Sequence, residues 1–446
     1  MITMDTTSVT HLSRRAGFGL TLSEYQAFRS QTTEQLFNRY WPEQITDLEE
    51  PDFFPQVRLK DLQDPERLVK LRQQARELTG RVAYDWFMRM ALGPLETQLV
   101  ERICLFWHGH FACRIEQPVL AVRYLNTLRR HGLGNFRDLV LNIARDGAMI
   151  RYLNNQQNRK DQPNENFARE LMELFTMGRG NYSERDVKEA ARAFTGWSTD
   201  LQGNYIFRTR QHDDGIKSFL GNTGHWNGED IIDIILRQEV AAEFIANRIY
   251  CYFVHPTVDR EVVSAMAQRL LATKYDLGDL FRNLFTSDHF YEPHNVGVRI
   301  KSPVEWLAGM SRALQTPIPP DQGLAGFFRL TGQVLFNPPN VAGWPGGRSW
   351  VDNASLQLRT NIPFLALNDT PNRNRKSRPW EVDWSQMTKN IPAGQNYPEL
   401  LAAWLLVQSP GERTALIHFL RPLLHAKPEF PYWTVALLAT PEYQMA

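Results

Sequence analysis

The chain has 446 residues, of which 43% are hydrophobic and 22% are charged. This composition is typical of a globular protein with a sizeable core, and it excludes disorder over most of the length. The formal net charge is +1, from 50 basic and 49 acidic residues, so nothing in the charge balance indicates binding to nucleic acid.

Hydrophobic periodicity predicts helices along most of the chain. In chain order, the predicted helices span residues 21–39, 67–92, 95–111, 118–130, 135–145, 164–177, 183–195, 229–237, 239–253, 259–273, 277–285, 302–314 and 324–330, with two more within 397–425.

Two stretches depart from this helical pattern. Residues 197–228 alternate between apolar and polar positions, which predicts a small inserted β-hairpin, and residues 368–378 (NDTPNRNRKSR) predict a flexible surface stretch. No βαβ alternation is present. We therefore predict a mainly α fold, an irregular multi-helix bundle that forms a single large domain over residues 1–446 and carries the inserted hairpin.

The segment 164–174 carries the most unusual polar pattern. On a helix, four of its polar residues fall at i, i+3, i+4 and i+7 and form one stripe: Asn166, Arg169, Glu170 and Glu173. Such a stripe is either a solvated, ion-paired face or a buried polar site, and its lack of lysine favours the buried site. We predict that Asn166 binds substrate and that the other three residues are catalytic.

Two histidines, His108 and His110, stand at the end of an otherwise apolar helix. If the helix breaks at Gly109, both rings converge and can chelate one ion. The alternative is a pair of core histidines that hydrogen-bond to the backbone. Apolar neighbours make an unpaired ring costly, so both rings need partners.

The turn at residues 212–217 contains an adjacent His–Asp pair, a doublet that metal phosphohydrolases carry on a helix. Here His212 and Asp213 lie in a predicted hairpin, so an Asx-type turn ended by Gly215 is the alternative. Imidazole and carboxylate ligands suit Fe, Mn or Zn. The predicted metal ligands are His108, His110, Glu170, Glu173, His212 and Asp213.

Further residues suit the binding of a small-molecule or saccharide substrate. Proline and glycine stiffen the loop 336–347, where Trp344 offers a flat apolar surface for a pocket wall or a structural clasp. Clustered cations, Arg14 and Lys301 among them, either hold an anionic substrate or pair with local carboxylates. We predict that these three residues contact the substrate.

Seven segments together resemble a bacterial family known as domain of unknown function 1800. They are HLSRRAGFG at His11, FWHGHF at Phe106, NENFARELMELFTMG at Asn164, YSERDVKEAARAFTGW at Tyr182, HDDGIKSFLG at His212, IKSPVEWL at Ile300 and FNPPNVAGWPGG at Phe336. The resemblance spans nearly the whole chain but implies no activity, because the family's biochemistry is unassigned. The usual pattern has Asn between the two histidines, where this chain has Gly109.

Location is predicted from two features. The N-terminal segment has no basic region followed by an apolar stretch, so we expect no signal peptide and a cytoplasmic protein. No window approaches about 18 consecutive apolar residues, so we expect no membrane span. Many members of the resembling family look exported and are encoded beside sulfatase-like proteins, which implies such a protein as a partner.

The leading functional hypothesis is a metal-dependent enzyme that hydrolyses an anionic ester, either a phosphate or a sulfate. A carboxylate-bridged Fe or Mn oxidoreductase is an alternative, although the paired Glu-x-x-His signature of di-iron bundles is absent from the sequence. Two further alternatives remain. One is a metal-free enzyme that acts on a saccharide through Glu170 and Glu173, and the other is a non-enzymatic binding or scaffold protein.

Overall fold

The computed structural model describes residues 6–53, 64–320, 322–367, 380–389, 391, 394–425 and 428–446. These residues form 21 helices and two small two-stranded antiparallel sheets, which confirms the predicted mainly α fold with inserted β-structure. The predicted flexible stretch 368–378 lies outside the described residues. The division into domains stays a prediction.

The helices follow one another along the whole described chain. They are α1 (Thr6–Ala16), α2 (Leu22–Phe28), α3 (Thr33–Tyr40), α4 (Pro65–Leu92), α5 (Leu95–His110), α6 (Pro118–His131), α7 (Phe136–Arg145), α8 (Gly147–Tyr152), α9 (Asn166–Glu170), α10 (Glu184–Ala193), α11 (Gly228–Leu236), α12 (Glu239–Phe253), α13 (Arg260–Ala272), α14 (Leu277–Thr286), α15 (Pro303–Leu314), α16 (Gln322–Leu330), α17 (Asn353–Asn361), α18 (Trp384–Thr388), α19 (Tyr397–Leu405), α20 (Pro410–Leu420) and α21 (Phe430–Leu438).

The helix predicted over residues 21–39 is two helices, α2 and α3. A capping box starts the second one, because the Thr32 hydroxyl accepts from the Gln35 N–H at 3.2 Å and the Gln35 side chain accepts from the Thr32 N–H at 3.0 Å. A capping box satisfies two of the backbone donors that a new helix leaves open. The apolar period continues across this break, which is why the sequence pattern alone joins the two helices.

The inserted β-structure is two hairpins rather than one. Strand β1 (Trp197–Thr199) pairs with β2 (Tyr205–Phe207), and β3 (Lys217–Phe219) pairs with β4 (Asn222–Gly224), both antiparallel. The turn at residues 212–215 joins the two hairpins instead of closing one of them.

Most of the core is one large cluster of buried apolar side chains, which includes residues from Val9 in α1 to Tyr443. Helix α5 is buried on nearly all sides, as its sequence predicts, and every residue of α15 is buried. Helix α1 contacts α3, α5 and α19, and α15 packs along α4. These helices bring the motif residues of distant segments into the interior. None of the described helices combines the length and the apolar character needed to cross a bilayer.

Candidate functional site

Six cationic side chains from four segments meet around one carboxylate, that of Glu305. Five of the six are at most 7% exposed, and the sixth side chain, Arg299, is 11% exposed. They come from α1, α5, the segment before α15, and α17. We refer to these side chains as the cationic cluster: Arg14, Arg15, Arg102, Arg299, Lys301 and Arg359.

The start of α15 fixes the carboxylate at the centre of the cluster. Ser302 is the N-cap, its hydroxyl accepts from the Glu305 N–H at 3.3 Å, and the Glu305 Oε2 accepts from the Ser302 N–H at 2.7 Å. Pro303 follows at the first helical position, where its missing N–H is not needed. This local sequence therefore fixes the position of the carboxylate. Arg299 and Lys301 come just before the N-cap, Ser302, in the sequence.

Glu305 is hydrogen-bonded on several sides. Its Oε1 lies 2.5 Å from Arg102 Nη1 and 3.2 Å from Arg299 Nη2, and it accepts from the Tyr252 hydroxyl at 3.2 Å. Burial by itself raises the pKa of this carboxyl, but the two guanidinium groups outweigh it and lower the pKa to about 2. Glu305 is therefore an anion over the whole physiological range.

Four of the cations also donate to the segment 443–446. Lys301 Nζ donates to a carbonyl at 2.6 Å, and the arginine bonds are 2.7 to 3.3 Å long. These bonds satisfy part of the cluster's donor capacity with backbone and amide oxygens. The pairs are Lys301–Tyr443, Arg15–Ala446, Arg14–Met445 and Arg359–Gln444.

The rest of that donor capacity is unused within the described part of the chain. Seven buried guanidinium nitrogens have no hydrogen-bond partner there: Nε and Nη1 of Arg15, Nε and Nη2 of Arg102, Nη1 of Arg299, and Nε and Nη2 of Arg359. The buried indole nitrogen of Trp306 is also without a partner among these residues, and Arg359 lies over its ring at 5.8 Å. A buried donor without an acceptor costs about 1–3 kcal/mol, and more when it is charged.

The cluster also carries excess positive charge. Burial, together with Arg299 and Arg102, lowers the pKa of Arg15 well below its usual value. Burial and the neighbouring Arg14 do the same to the pKa of Lys301. In the described part of the chain, six cationic side chains surround the one side-chain carboxylate of Glu305. Buried charges are normally paired, so this arrangement favours an additional anion.

Two residues predicted to bind substrate, Arg14 and Lys301, are brought together here. Both lie over the ring of Tyr443, with Arg14 Cζ at 5.3 Å and Lys301 Nζ at 3.5 Å from its centroid. Trp344, which was also predicted to bind substrate, packs against His108 instead, with ring centroids 5.1 Å apart.

The predicted histidine pair lies in an unbroken helix, because α5 continues through Gly109 to His110. His108 Nε2 accepts from the Phe336 N–H at 3.0 Å, while His110 Nε2 lies 2.9 Å from the Phe175 carbonyl oxygen. Burial lowers the pKa of each histidine to about 3, helped at His110 by nearby Arg248. Both rings are thus neutral core histidines bonded to the backbone.

The predicted catalytic stripe lies on a partly exposed face. Arg169 forms two 2.8 Å hydrogen bonds to Glu184, and Glu173 accepts from Arg179 and Tyr182 at 2.5 and 2.9 Å. Those two donors lower the pKa of Glu173 despite its partial burial.

Within this stripe, Asn166 is exposed, and Glu170 is only partly buried. Burial, with Glu173 nearby, raises the pKa of Glu170. The predicted regular helix also changes its winding here, since α9 passes into a π-helical stretch, Leu171–Thr176. The i, i+3, i+4, i+7 spacing of an ideal α-helix therefore does not hold through Glu173.

The His–Asp doublet forms the Asx-type turn that was the alternative. Asp213 accepts from the Gly215 N–H at 2.8 Å and pairs with Arg192 at 2.7 Å. His212 Nδ1 lies 2.8 Å from the Thr195 carbonyl oxygen. These contacts hold the connection between the two hairpins against α10.

No three of the predicted metal ligands meet at one point in the described part of the chain. There, the group of three or more His, Cys, Asp or Glu side chains with ligand atoms within 4.8 Å of one another is His289, Glu292 and His294. The sequence prediction missed this group. Its signal was the spacing His-x-x-Glu-x-His, which is compact enough for two consecutive short turns to bring all three residues together.

A cavity of about 1020 Å³ lies between α4 and α16. Its lining includes Tyr84, Arg114, Phe328 and, from the proline- and glycine-rich loop, Phe336 and Asn337. This loop therefore forms part of a cavity wall.

Comparison with known protein families gives a match over nearly the whole chain. The family model described as "Protein of unknown function (DUF1800)" matches residues 11–445, which include all six members of the cationic cluster. No curated protein matches the chain, and no solved structure matches it either.

Proposed function

The chain belongs to DUF1800, a family of proteins of unknown function. Because the family description gives no activity, we propose a function from the cationic cluster itself. The protein binds an oxyanion of the phosphate or sulfate class, free or as part of a larger ligand, at the cationic cluster. Planar guanidinium groups offer paired N–H donors that match the oxygens of such anions.

The observation that carries this proposal is the set of buried, unpartnered guanidinium nitrogens, stated for the described residues, on Arg15, Arg102, Arg299 and Arg359. Removing an uncompensated cation from water costs several kcal/mol, even after relaxation. A bound oxyanion supplies both the missing charge and the missing acceptors. The excess of cations over carboxylates supports the same conclusion.

A second explanation rests on the four donors that reach residues 443–446. In that explanation, the cations hold residues 443–446 against α1 and α17 and bind no ligand, which corresponds to the scaffold alternative. The two explanations differ in one measurable respect, since only the first requires an anion in the folded protein.

The reaction stays a prediction. Guanidinium groups stabilise charge that develops on a phosphoryl or sulfuryl group, so anion binding agrees with the predicted hydrolysis of a phosphate or sulfate ester. The proposal does not depend on metal ligation by His108, Glu170 or their predicted partners. The cytoplasmic location and the sulfatase-like partner also stay predictions.

The first experiment looks for an anion that remains bound through purification. Protein purified in chloride buffer is denatured, and the released anions are measured by ion chromatography. We expect about one phosphate or sulfate per chain, and a loss of that anion in the variants Arg359→Gln and Arg15→Gln. Arg179→Gln removes an exposed cation and serves as the control.

The second experiment titrates inorganic phosphate and sulfate into dialysed protein. Both anions should raise the melting temperature with saturation, at constant ionic strength, as expected for a ligand that binds the folded state alone. Arg359→Lys keeps the positive charge but loses the paired N–H donors of the guanidinium group. This variant should therefore need a higher anion concentration for the same rise in melting temperature. Absence of a released anion, combined with identical titrations in the wild type and Arg359→Gln, would establish the structural explanation instead.

A further inference from the structure

The segment between α14 and α15 carries a second group of ligand side chains at the surface. His289 lies in a short 3-10 turn, Asp288–Tyr291, and His294 lies in the next turn, Pro293–Asn295, with Glu292 between them. One ligand atom from each lies within 4.8 Å of the other two. The two consecutive turns fold the chain back so that residues three and two apart share one point.

The distances suit a metal centre. His289 Nδ1 is 3.0 Å from Glu292 Oε2, and His294 Nε2 is 3.5 Å from the same oxygen. A tetrahedral ion with bonds of about 2.0–2.1 Å holds its ligand atoms about 3.3 Å apart. Small side-chain adjustments therefore bring the three atoms to ligation distance.

One ligand is already oriented by its surroundings. His289 Nε2 lies 3.2 Å from the Tyr250 hydroxyl, and the two rings stack with centroids 5.9 Å apart. When Nδ1 binds a metal, Nε2 carries the proton and donates it to the Tyr250 oxygen. Metal-bound histidines usually have such a hydrogen bond on the second nitrogen, which fixes the tautomer and the ring orientation. Asn295 adds support by donating to the His289 carbonyl at 2.7 Å.

We propose that His289, Glu292 and His294 bind one divalent transition-metal ion, with Zn²⁺ as the best match. Two imidazoles and one carboxylate are a ligand set that zinc uses where it keeps a fourth position open. The His294 side chain is 62% exposed, so solvent reaches this position. His255 lies beside His294, but its Nδ1 is hydrogen-bonded to Thr257, and we assign it no bond to the metal.

The site lies close to the cationic cluster without depending on it. Asn295 ends the turn that carries His294, and its carbonyl accepts from Arg15 Nη2 at 3.3 Å. The metal ligands themselves are not members of the cluster. Zinc binding and oxyanion binding can therefore be tested, and can fail, independently.

The test titrates Zn²⁺ by calorimetry into tag-free protein, and Co²⁺ by visible absorption. We expect one ion per chain and visible bands of low-coordinate Co²⁺. His289→Ala and His294→Ala should abolish both signals, while Tyr250→Phe should weaken zinc binding about 10-fold. The control is His418→Ala, which removes an exposed histidine elsewhere.

Thermal unfolding of each variant verifies that it is folded. The proposal is overturned if the wild type binds neither ion, or if both histidine variants bind them as the wild type does. Weakening by His418→Ala equal to that by His294→Ala would also overturn it, because binding would then follow surface histidines in general. Phosphate titration of the same variants shows whether oxyanion binding at the cationic cluster is retained when zinc binding is lost.

Discussion

His108 Nε2 accepts a hydrogen bond from the backbone N–H of Phe336, 3.0 Å away. Phe336 holds a positive φ of 59°, an unusual conformation for a residue with a large side chain. Its ring packs 5.3 Å from the His108 ring. The histidine thus secures the first residue of the proline- and glycine-rich loop, and it must be neutral to accept this bond.

The burial of two neutral histidines makes the protein sensitive to acid. In the folded state the pKa of His108 and of His110 is lowered from 6.5 to about 3. Because the unfolded chain then binds more protons, stability is complete above pH 6.5 and falls as the pH drops toward about 3. At pH 5 the loss should be about 2 kcal/mol for each histidine.

Urea unfolding at pH 7 and pH 5 measures this loss. His108→Gln should reduce the difference in unfolding free energy between the two pH values by about 2 kcal/mol, whatever its effect on stability at pH 7. An equal pH dependence in the variant and the wild type would mean that this ring is not a neutral buried group.

Removal of the central carboxylate should be costly. Glu305→Gln leaves Arg102 and Arg299 without their anion, and breaking a buried pair in this way costs about 3–5 kcal/mol. The folded pKa of about 2 lies below the ordinary value of 4.5. The carboxylate's contribution is therefore complete above pH 4.5 and is lost as the pH falls toward about 2.

The comparison is Glu229→Gln at a partly exposed pair with Arg145, which should cost at most about 1 kcal/mol. Chemical denaturation at pH 7 gives both values. Similar small losses in the two variants would contradict the central role of Glu305.

Two glycines that face each other should respond differently to alanine. A Cβ at Gly343, where φ is +85°, would lie 2.4 Å from the Gly109 carbonyl oxygen. A Cβ at Gly109 meets no described atom within 4 Å. We expect Gly343→Ala to destabilise the protein and Gly109→Ala, in a helix, to stabilise it by about 0.5 kcal/mol. Thermal unfolding decides this, and a loss of stability in Gly109→Ala would contradict the helical assignment there.

The two carboxylates of the stripe, Glu170 and Glu173, should have little effect on phosphate or zinc binding. Glu170→Gln and Glu173→Gln change a partly exposed face on which Glu173 pairs with Arg179, so each should alter stability by about 1 kcal/mol at most. Phosphate and zinc titrations should match those of the wild type. Loss of phosphate or zinc binding in Glu170→Gln would instead support the sequence-based prediction that the stripe belongs to the functional site.

Periodicity predicts the fold well where apolar side chains face the core. Helix α12 has its predicted bounds, and the two helices α5 and α14 differ from theirs by one residue. Helix α1 escaped prediction for a physical reason, because its buried face includes His11, Ser13, Arg14 and Arg15. A helix whose polar groups point inward has no apolar stripe for the pattern to detect.

The candidate site was predictable only in part. Arg14 and Lys301 could be identified because cations cluster around them in the sequence. Arg102 and Arg359 could not, because they join the cluster only through the packing of α5 and α17. The stripe from Asn166 to Glu173 did not identify residues that meet other parts of the chain in a common site. Helical spacing shows which residues share a face, but not what that face contacts.

The bond between Arg15 and Ala446 joins residues 431 positions apart. During synthesis, α1 leaves the ribosome before residues 443–446, and its arginines lack these oxygen acceptors until that segment has also emerged. Contacts this distant in sequence form late and slow the completion of folding. The cations of α1 therefore stay in water until the chain has grown by the 431 positions that separate Arg15 from Ala446. A growing chain stalled short of residue 443 would have the cations of the cluster but would lack the four acceptors in residues 443–446.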